Sequence, residues 1–283
     1  MINEIRNKAK ELLEAKAVEC VIGYERATDN LTARPAFVYE PSGADRLIFD
    51  ETCVHNLSKY LTNRRHERTA IVAKPCDSRG VNLLLNESQL QRENVFIIGV
   101  VCSGMKRVRF NLIESSLLTK CQYCRQHTPV IYDFLVGEPV AETTTPDYSD
   151  VTEIENMTPV ERGALWSEHF ARCIRCYGCR QVCIGCYCYE CFAEELDPLW
   201  IGIRIAPQEN WIWNTGRAFH LSARCVACGE CERVCPVNIP LMLVNRKLEK
   251  DSLQLFGFEP GVSAETAPPF ATFKKEDNLG IGE

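Results

Sequence analysis

The chain has 283 residues, of which 46% are hydrophobic and 25% are charged, so it is long enough for two modest domains with real cores. Its 32 basic and 38 acidic residues give a formal net charge of -6, which argues against nucleic acid as a partner because that binding needs a positive surface. Cysteine is the unusual component: 17 of the 283 residues, about 6%, exclude a routine cytosolic globule.

The N-terminus bears on the cellular compartment. Residues 1–17 carry charges throughout and no uninterrupted apolar run, so they do not form a signal peptide. The longest apolar run, residues 95–101, is far shorter than the roughly 20 residues of a membrane helix. These features predict a cytoplasmic protein without membrane insertion, whose reduced thiols bind metal rather than form disulfides.

Residues 1–137 are predicted to form an α/β domain. Ile5, Ala9 and Leu12 have helical spacing, and short strands are expected at residues 20–24, 36–39 and 47–49. Residues 69–101 then read as an apolar strand, a helical segment and a second apolar strand. This βαβ pattern, with strands apolar throughout, predicts a parallel sheet covered on both faces.

The rest of the chain divides by composition. Residues 138–162 contain seven acids and one base, which predicts an exposed acidic linker. Residues 163–255 are cysteine-rich and are predicted to be mainly helical, with helices near residues 159–172, 209–223 and 239–250. Residues 256–283 contain Gly and Pro throughout and predict an extended tail that packs only against something else.

Two cysteine runs carry the strongest chemical signal. The second run, residues 225–235, has the spacing C-x2-C-x2-C-x3-C and is followed by Pro236, as in bacterial two-cluster ferredoxins. The first run, residues 173–183, repeats that spacing but is followed by Ile184. A structural zinc site is disfavoured because zinc ribbons pair separated C-x2-C knuckles.

In two-cluster ferredoxins the fourth cysteine of each run binds the other cluster, so the runs exchange one ligand. This rule predicts two [4Fe–4S] clusters, each held by four thiols. The first thiol set is Cys173, Cys176, Cys179 and Cys235. The second thiol set is Cys225, Cys228, Cys231 and Cys183.

Further cysteines suggest a third metal centre. Cys76 and Cys102 each follow a predicted parallel strand, and such strand ends meet at one edge of a sheet, where ligands bind. With the C-x2-C pair Cys121 and Cys124 they form a third thiol set, for a [4Fe–4S] cluster or a zinc ion. Alternatively, Cys76 and Cys102 are buried small hydrophobes. A rival pairing joins Cys121 and Cys124 to a cysteine trio, and spacing does not choose between these arrangements. The trio is Cys186, Cys188 and Cys191.

Other residues give weaker signals. The loop of residues 74–80 is predicted either to bind an anion through Lys74, Ser78 and Arg79 or to be an ordinary helix cap with Asp77 or Ser78. The sequence has no G-x-G-x-x-G or Walker pattern, and no catalytic residue is assigned. Three residues are predicted to be structural: Cys20, Cys53 and His220.

Three stretches resemble a known family: AIVAKPCDSRGVNLLLNESQL, ENVFIIGVVCSG and FHLSARCVACGECERVCPVNIPLMLVNRKL. They are similar to iron–sulfur beta-type subunits of deazaflavin (coenzyme F-type) hydrogenases and dehydrogenases. They also resemble 4Fe–4S dicluster proteins associated with heterodisulfide reductases. The resemblance covers about residues 68–255. It implies that the first two thiol sets are cluster ligands and that Cys76 lies in a ligand- or cluster-bearing loop.

The resemblance also implies a role in passing electrons between a flavoprotein partner and a catalytic subunit. We therefore expect an electron-transfer iron–sulfur subunit of a cytoplasmic multi-subunit oxidoreductase in anaerobic metabolism. The alternative is a flavin- or deazaflavin-dependent reductase with its own active site near the Cys76 loop. A zinc-stabilised interaction module is a third class, which predicts binding without redox activity.

Overall fold

The computed structural model describes residues 1–142 and 145–269, and the first part of the chain builds an α/β domain. The N-terminal helix α1 (Ile2–Glu14) buries Ile5, Ala9 and Leu12, as the spacing predicted. The elements that follow are β1 (Cys20–Arg26), β2 (Ala33–Val38), β3 (Leu47–Ile48), β4 (Thr69–Ala73), α2 (Pro75–Asn86), β5 (Val95–Val100), β6 (Lys106–Arg109), β7 (Leu112–Leu117), α3 (Thr119–Gln122) and β8 (Phe134–Val136).

One six-stranded sheet organises this domain, in the order β2-β1-β4-β5-β8, with β3 also paired to β1. Strands β1, β4, β5 and β8 run parallel, so Ile71 of β4 lies between Ile22 of β1 and Ile97 of β5. The predicted parallel βαβ unit is confirmed. Strands β2 and β3 are antiparallel to β1, because a short turn capped by the Asp29 carboxylate folds β2 directly back onto β1.

Both faces of the sheet are buried, as the continuous apolar strands predicted. Ala70 and Val72 of β4 face the core that includes α1, whereas Ile71 and Ala73 face the core that includes α2. The second core also contains Val226 from the second cysteine run. The cysteine-rich part of the chain therefore packs directly against the α/β domain.

The cysteine-rich part is helical where it is regular. Its helices are α4 (Ser149–Glu155), α5 (Pro159–Ala171), α6 (Gly178–Gln181), α7 (Pro207–His220), α8 (Glu230–Arg233) and α9 (Leu241–Phe256). A separate core includes Phe170 of α5, Trp213 of α7 and Leu241 of α9. Among the residues that the structure describes, none of the helices combines the length and apolar character required to cross a bilayer.

The acidic stretch of residues 138–162 is not simply an exposed linker. It contains α4, in which Val151 is 1% exposed and Asp150 forms an ion pair with Arg246 of α9 at 2.7 Å. Glu155 of the same helix pairs with Lys247 of α9 at 2.8 Å. Two of the seven acids, Asp150 and Glu155, are therefore charge partners of a neighbouring helix, which their local sequence did not reveal.

The tail returns to the α/β domain as far as residue 269. Arg79 and Asn82 of α2 donate hydrogen bonds to the carbonyls of Pro260 and Gly261. Gly261 has a φ of +74°, and a Cβ there would lie 2.3 Å from the Arg79 carbonyl oxygen, so a side chain does not fit. This part of the predicted tail packs within its own chain, and residues 270–283 lie outside the described part.

Candidate metal centres

The two cysteine runs share a backbone path as well as a spacing. Arg175 and Tyr177 in the first run have positive φ angles of 51° and 57°, and Ala227 and Gly229 in the second have 53° and 66°. Each pair lies at corresponding positions, and each run continues into a single helical turn, α6 or α8. Left-handed residues turn a chain tightly, so each run wraps its first three thiols around one point.

The structure brings the first thiol set together across the two runs. All four of its thiols line one cavity, which is also walled by Trp213 of α7 and by Pro236. Trp213 is 1% exposed and packs edge-to-face on Tyr177, with ring centroids 4.8 Å apart. The backbone amide of Ile239 also donates to the Cys235 sulfur at 3.4 Å. This cavity with four thiols and an amide donor suits a [4Fe–4S] cluster.

The second thiol set is more deeply buried. Burial raises the pKa of Cys225, Cys228 and Cys231, and the negative charge of Cys183 raises each of them further. The charge of Cys183 thus acts on all three thiols of the other run. Its own pKa is lowered, chiefly by a hydrogen bond from the Cys186 thiol. Four thiols held out of water need a metal or a positive charge before they can ionise together.

The third thiol set also converges. Cys76 at the start of α2, Cys102 after β5, Cys121 of α3 and Cys124 line one cavity at the carboxyl edge of the parallel strands. The Cys121 sulfur accepts a hydrogen bond from the Met105 amide at 3.3 Å. Burial raises the pKa of Cys102 to about 11. The same cavity reaches Cys228 of the second thiol set.

A buried charge network lies between the second and third thiol sets. Lys120 lines the cavity of the third thiol set and forms an ion pair with Glu230 at 3.2 Å. The two side chains are 7% and 3% exposed. Burial opposes ionisation of Glu230, but Lys120 and Arg233 lower its pKa to about 2. Burial also lowers the pKa of the neighbouring His55 to about 4. Lys120 and Glu230 were not predicted, because a sequence does not distinguish a buried charged residue from one on the surface.

The cysteine trio does not join Cys121 and Cys124. Its three thiols line a different cavity, between residues 185–192 and helix α7, together with His220. The structure thus groups Cys121 and Cys124 with Cys76 and Cys102. Cys20 and Cys53 lie in the sheet core, and burial raises the pKa of Cys53 to about 12.

The loop of residues 74–80 is an ordinary helix start. The Asp77 carboxylate accepts from the Lys74 amide at 2.9 Å and pairs with the Lys74 ammonium, which is 1% exposed. Arg79 contacts the tail carbonyls, and the Ser78 hydroxyl donates to the Pro75 carbonyl. The donors expected to hold an anion already have partners inside the protein, which favours the capping interpretation.

The thiols in these groups are spread out. Within the described ranges, no three or more Cys, His, Asp or Glu side chains approach as closely as a single metal ion needs. Thiolates that bind separate corners of a cubane lie further apart than the ligands of one zinc ion.

Comparisons with known proteins agree with this chemistry. Residues 221–240 match the family described as 4Fe-4S binding domain. The chain is 23% identical to the F420-dependent formate dehydrogenase subunit beta of Methanocaldococcus jannaschii, over 92% of each chain. It is 22% identical to the F420-dependent formate dehydrogenase 1 subunit beta of Methanococcus maripaludis, over 92% of this chain and 90% of that one. The resemblance to F420-type beta iron–sulfur subunits is thereby confirmed.

Proposed function

We propose that the chain is an electron-transfer iron–sulfur subunit of an oxidoreductase, relaying single electrons between a flavoprotein partner and a catalytic subunit. The relay would use two [4Fe–4S] clusters, held by the first and second thiol sets. The observation that carries this proposal is the crossed arrangement, in which Cys235 of the second run shares a cavity with the three leading thiols of the first.

We also propose a third [4Fe–4S] cluster on the third thiol set. Its cavity contains four thiols from separate elements and touches Cys228, so this centre would lie next to the second cluster. A zinc ion is the weaker candidate because of the wide spacing of the thiols. The three centres would then form one continuous path through the chain.

The proposed setting is a reducing, anaerobic cytoplasm. Thiols that bind metal have to be kept reduced, which such a compartment does. The matched relatives carry the name of a beta subunit, which supports assembly with other subunits.

Anaerobic purification with iron and sulfide analysis and EPR of the reduced protein tests this function. Two cubanes predict about eight irons per chain, and a third predicts about twelve. The substitution Cys228→Ser should remove one cluster signal, whereas the matched control Cys53→Ala should retain all of them. A diamagnetic protein filled with zinc would refute the relay.

A second candidate function is a reductase that binds its own flavin or deazaflavin. It is suggested by the residues that line the cavity of the third thiol set. Tyr123 and Tyr148 provide aromatic surface there, and Lys120, Arg79 and Arg246, each paired with a carboxylate, provide hydrogen-bond donors. These groups suit a planar aromatic cofactor with polar edges. A bound yellow cofactor and turnover of reduced deazaflavin by the isolated chain would favour this function, and the absence of both leaves the relay.

A further inference from the structure

The cysteine trio occupies a cavity of its own. The cavity has a volume of about 300 Å³ and lies between residues 185–192 and the C-terminal end of α7. This is roughly the volume of ten water molecules in the liquid. Three thiols that share such a space are more than buried small hydrophobes, because Cys188 is exposed and Cys186 and Cys191 are partly exposed.

His220 completes a set of four donors around this space. It lies at the last position of α7 and lines the cavity with the three thiols. Its ring packs edge-to-face on Phe192, with centroids 4.7 Å apart. No described residue forms a hydrogen bond with its ring nitrogens, so they are free to act as ligands. Imidazole nitrogen replaces thiolate on the iron of some natural iron–sulfur clusters.

Arg217 is a buried cation on the wall of this cavity. Its side chain is 4% exposed and lines the cavity, yet it has no carboxylate partner within the described residues. It donates to the Cys179 carbonyl at 3.1 Å, and its Nε has no hydrogen-bond partner in the described structure. A buried cation without a counter-charge is costly, so an anionic group is expected beside it.

The other two arginines of the cavity are already neutralised. Arg180 pairs with Glu194, and Arg224 pairs with Glu87 at 2.5 Å. Arg217 has no such carboxylate partner among the described residues. Its positive charge acts most on Cys183 and Cys231 of the second thiol set and next on Cys186 of the trio, so it serves both groups.

We propose that Cys186, Cys188, Cys191 and His220 hold a further [4Fe–4S] cluster, with Arg217 as its buried counter-charge. The thiols are not gathered closely enough for one ion, which favours a cluster over zinc. The Cys186 thiol hydrogen-bonds Cys183, so this cluster would adjoin the second thiol set. The proposal rests on the proposed function, because it adds a surface branch to that relay.

Substitution of two trio cysteines in the full chain tests this site. Cys186 is left unchanged because it contacts Cys183, and the variant is Cys188→Ser/Cys191→Ser, purified anaerobically beside the wild type. We expect the variant to contain about four fewer irons per chain and to lose one EPR signal, while the signals of the other clusters persist. The matched control Cys20→Ala/Cys53→Ala should keep its full iron content.

His220 separates ligation from packing. His220→Ala should lower the iron content as the double variant does, and His220→Cys should restore the iron with altered g values. Unchanged iron in Cys188→Ser/Cys191→Ser, or a loss of zinc in place of iron, would overturn this cluster. Failure of the proposed relay would look different, because the wild type itself would then lack cubane signals.

Discussion

At the scale of single residues, Lys120 is the charge best placed to control electron flow. Its ammonium is buried, bonded to Glu230, and close to both Cys76 and Cys228. Its carbon chain also lies against Gly229, where a Cβ would approach it to 2.7 Å. A positive charge stabilises the reduced form of a cluster, which carries one more electron, so Lys120 should raise the potentials of two neighbouring centres.

Replacing this charge gives a specific prediction. Lys120→Met should lower the midpoint potentials of the clusters on the second and third thiol sets by on the order of 60 mV, a tenfold change in a one-electron equilibrium. Redox titration followed by EPR measures this shift. Lys120→Arg, which keeps the charge, should leave both potentials near the wild-type values. In Lys120→Met the potential of the cluster on the first thiol set should also stay near its wild-type value. Equal shifts in all clusters would contradict the local role.

At the scale of elements, α4 and α9 are joined by a buried ion pair. Arg246 is 4% exposed and donates hydrogen bonds to both carboxylate oxygens of Asp150, at 2.7 and 2.9 Å. It also lies over the ring of Tyr123, 4.5 Å from the centroid. This pair fastens the acidic stretch to the cysteine-rich part, so α4 is a structural element in its own right.

Breaking the pair should destabilise the folded chain. Asp150→Asn leaves a buried guanidinium without its counter-charge, and we expect a loss of about 2 kcal/mol in the free energy of unfolding. Anaerobic urea unfolding measures it. The control Glu153→Gln removes an exposed acid from the same helix and should change stability by less than about 0.5 kcal/mol. Identical midpoints for the two variants would show that the pair contributes nothing.

At the scale of the whole molecule, the two parts differ in what holds them together. The sheet has apolar cores on both faces, whereas the part around α6 to α9 surrounds groups of buried thiols. Binding of a metal or cluster to these thiols as thiolates contributes directly to the free energy of folding of this part. The α/β domain should therefore be stable without metal, and the cysteine-rich part should not.

Removal of the clusters tests this difference. Treatment with oxidant and chelator should abolish amide-exchange protection in α7 and α9 and leave β4 and β5 protected. Hydrogen-exchange mass spectrometry resolves the segments, and chelator alone under argon is the control. Protection of α7 and α9 that survives complete iron loss would contradict a metal-dependent fold.

Much of this architecture was predictable because its causes are local. The C-x2-C-x2-C spacing brings three thiols around one point through a tight turn, and the repeat of that turn is seen again in the positive φ angles of Arg175 and Ala227. Apolar strands around residues 69–101 predicted the parallel pair β4 and β5. The antiparallel β2 and the β6–β7 hairpin were not predicted, since pairing direction depends on neighbours that one segment does not reveal.

The sequence by itself thus determined the ferredoxin-type thiol spacing, the βαβ unit and the iron–sulfur chemistry, because each depends on residues near one another in the chain. Only the tertiary structure decided that Cys76 and Cys102 meet Cys121 and Cys124, and that the cysteine trio lies elsewhere with His220. It also decided which charges are buried, as with Lys120 and Arg217. The reason is that the convergence of cysteines and the burial of charges arise from packing between segments that are distant in the chain. The same residue types also occur on solvent-exposed surfaces, so the sequence alone does not distinguish the two cases.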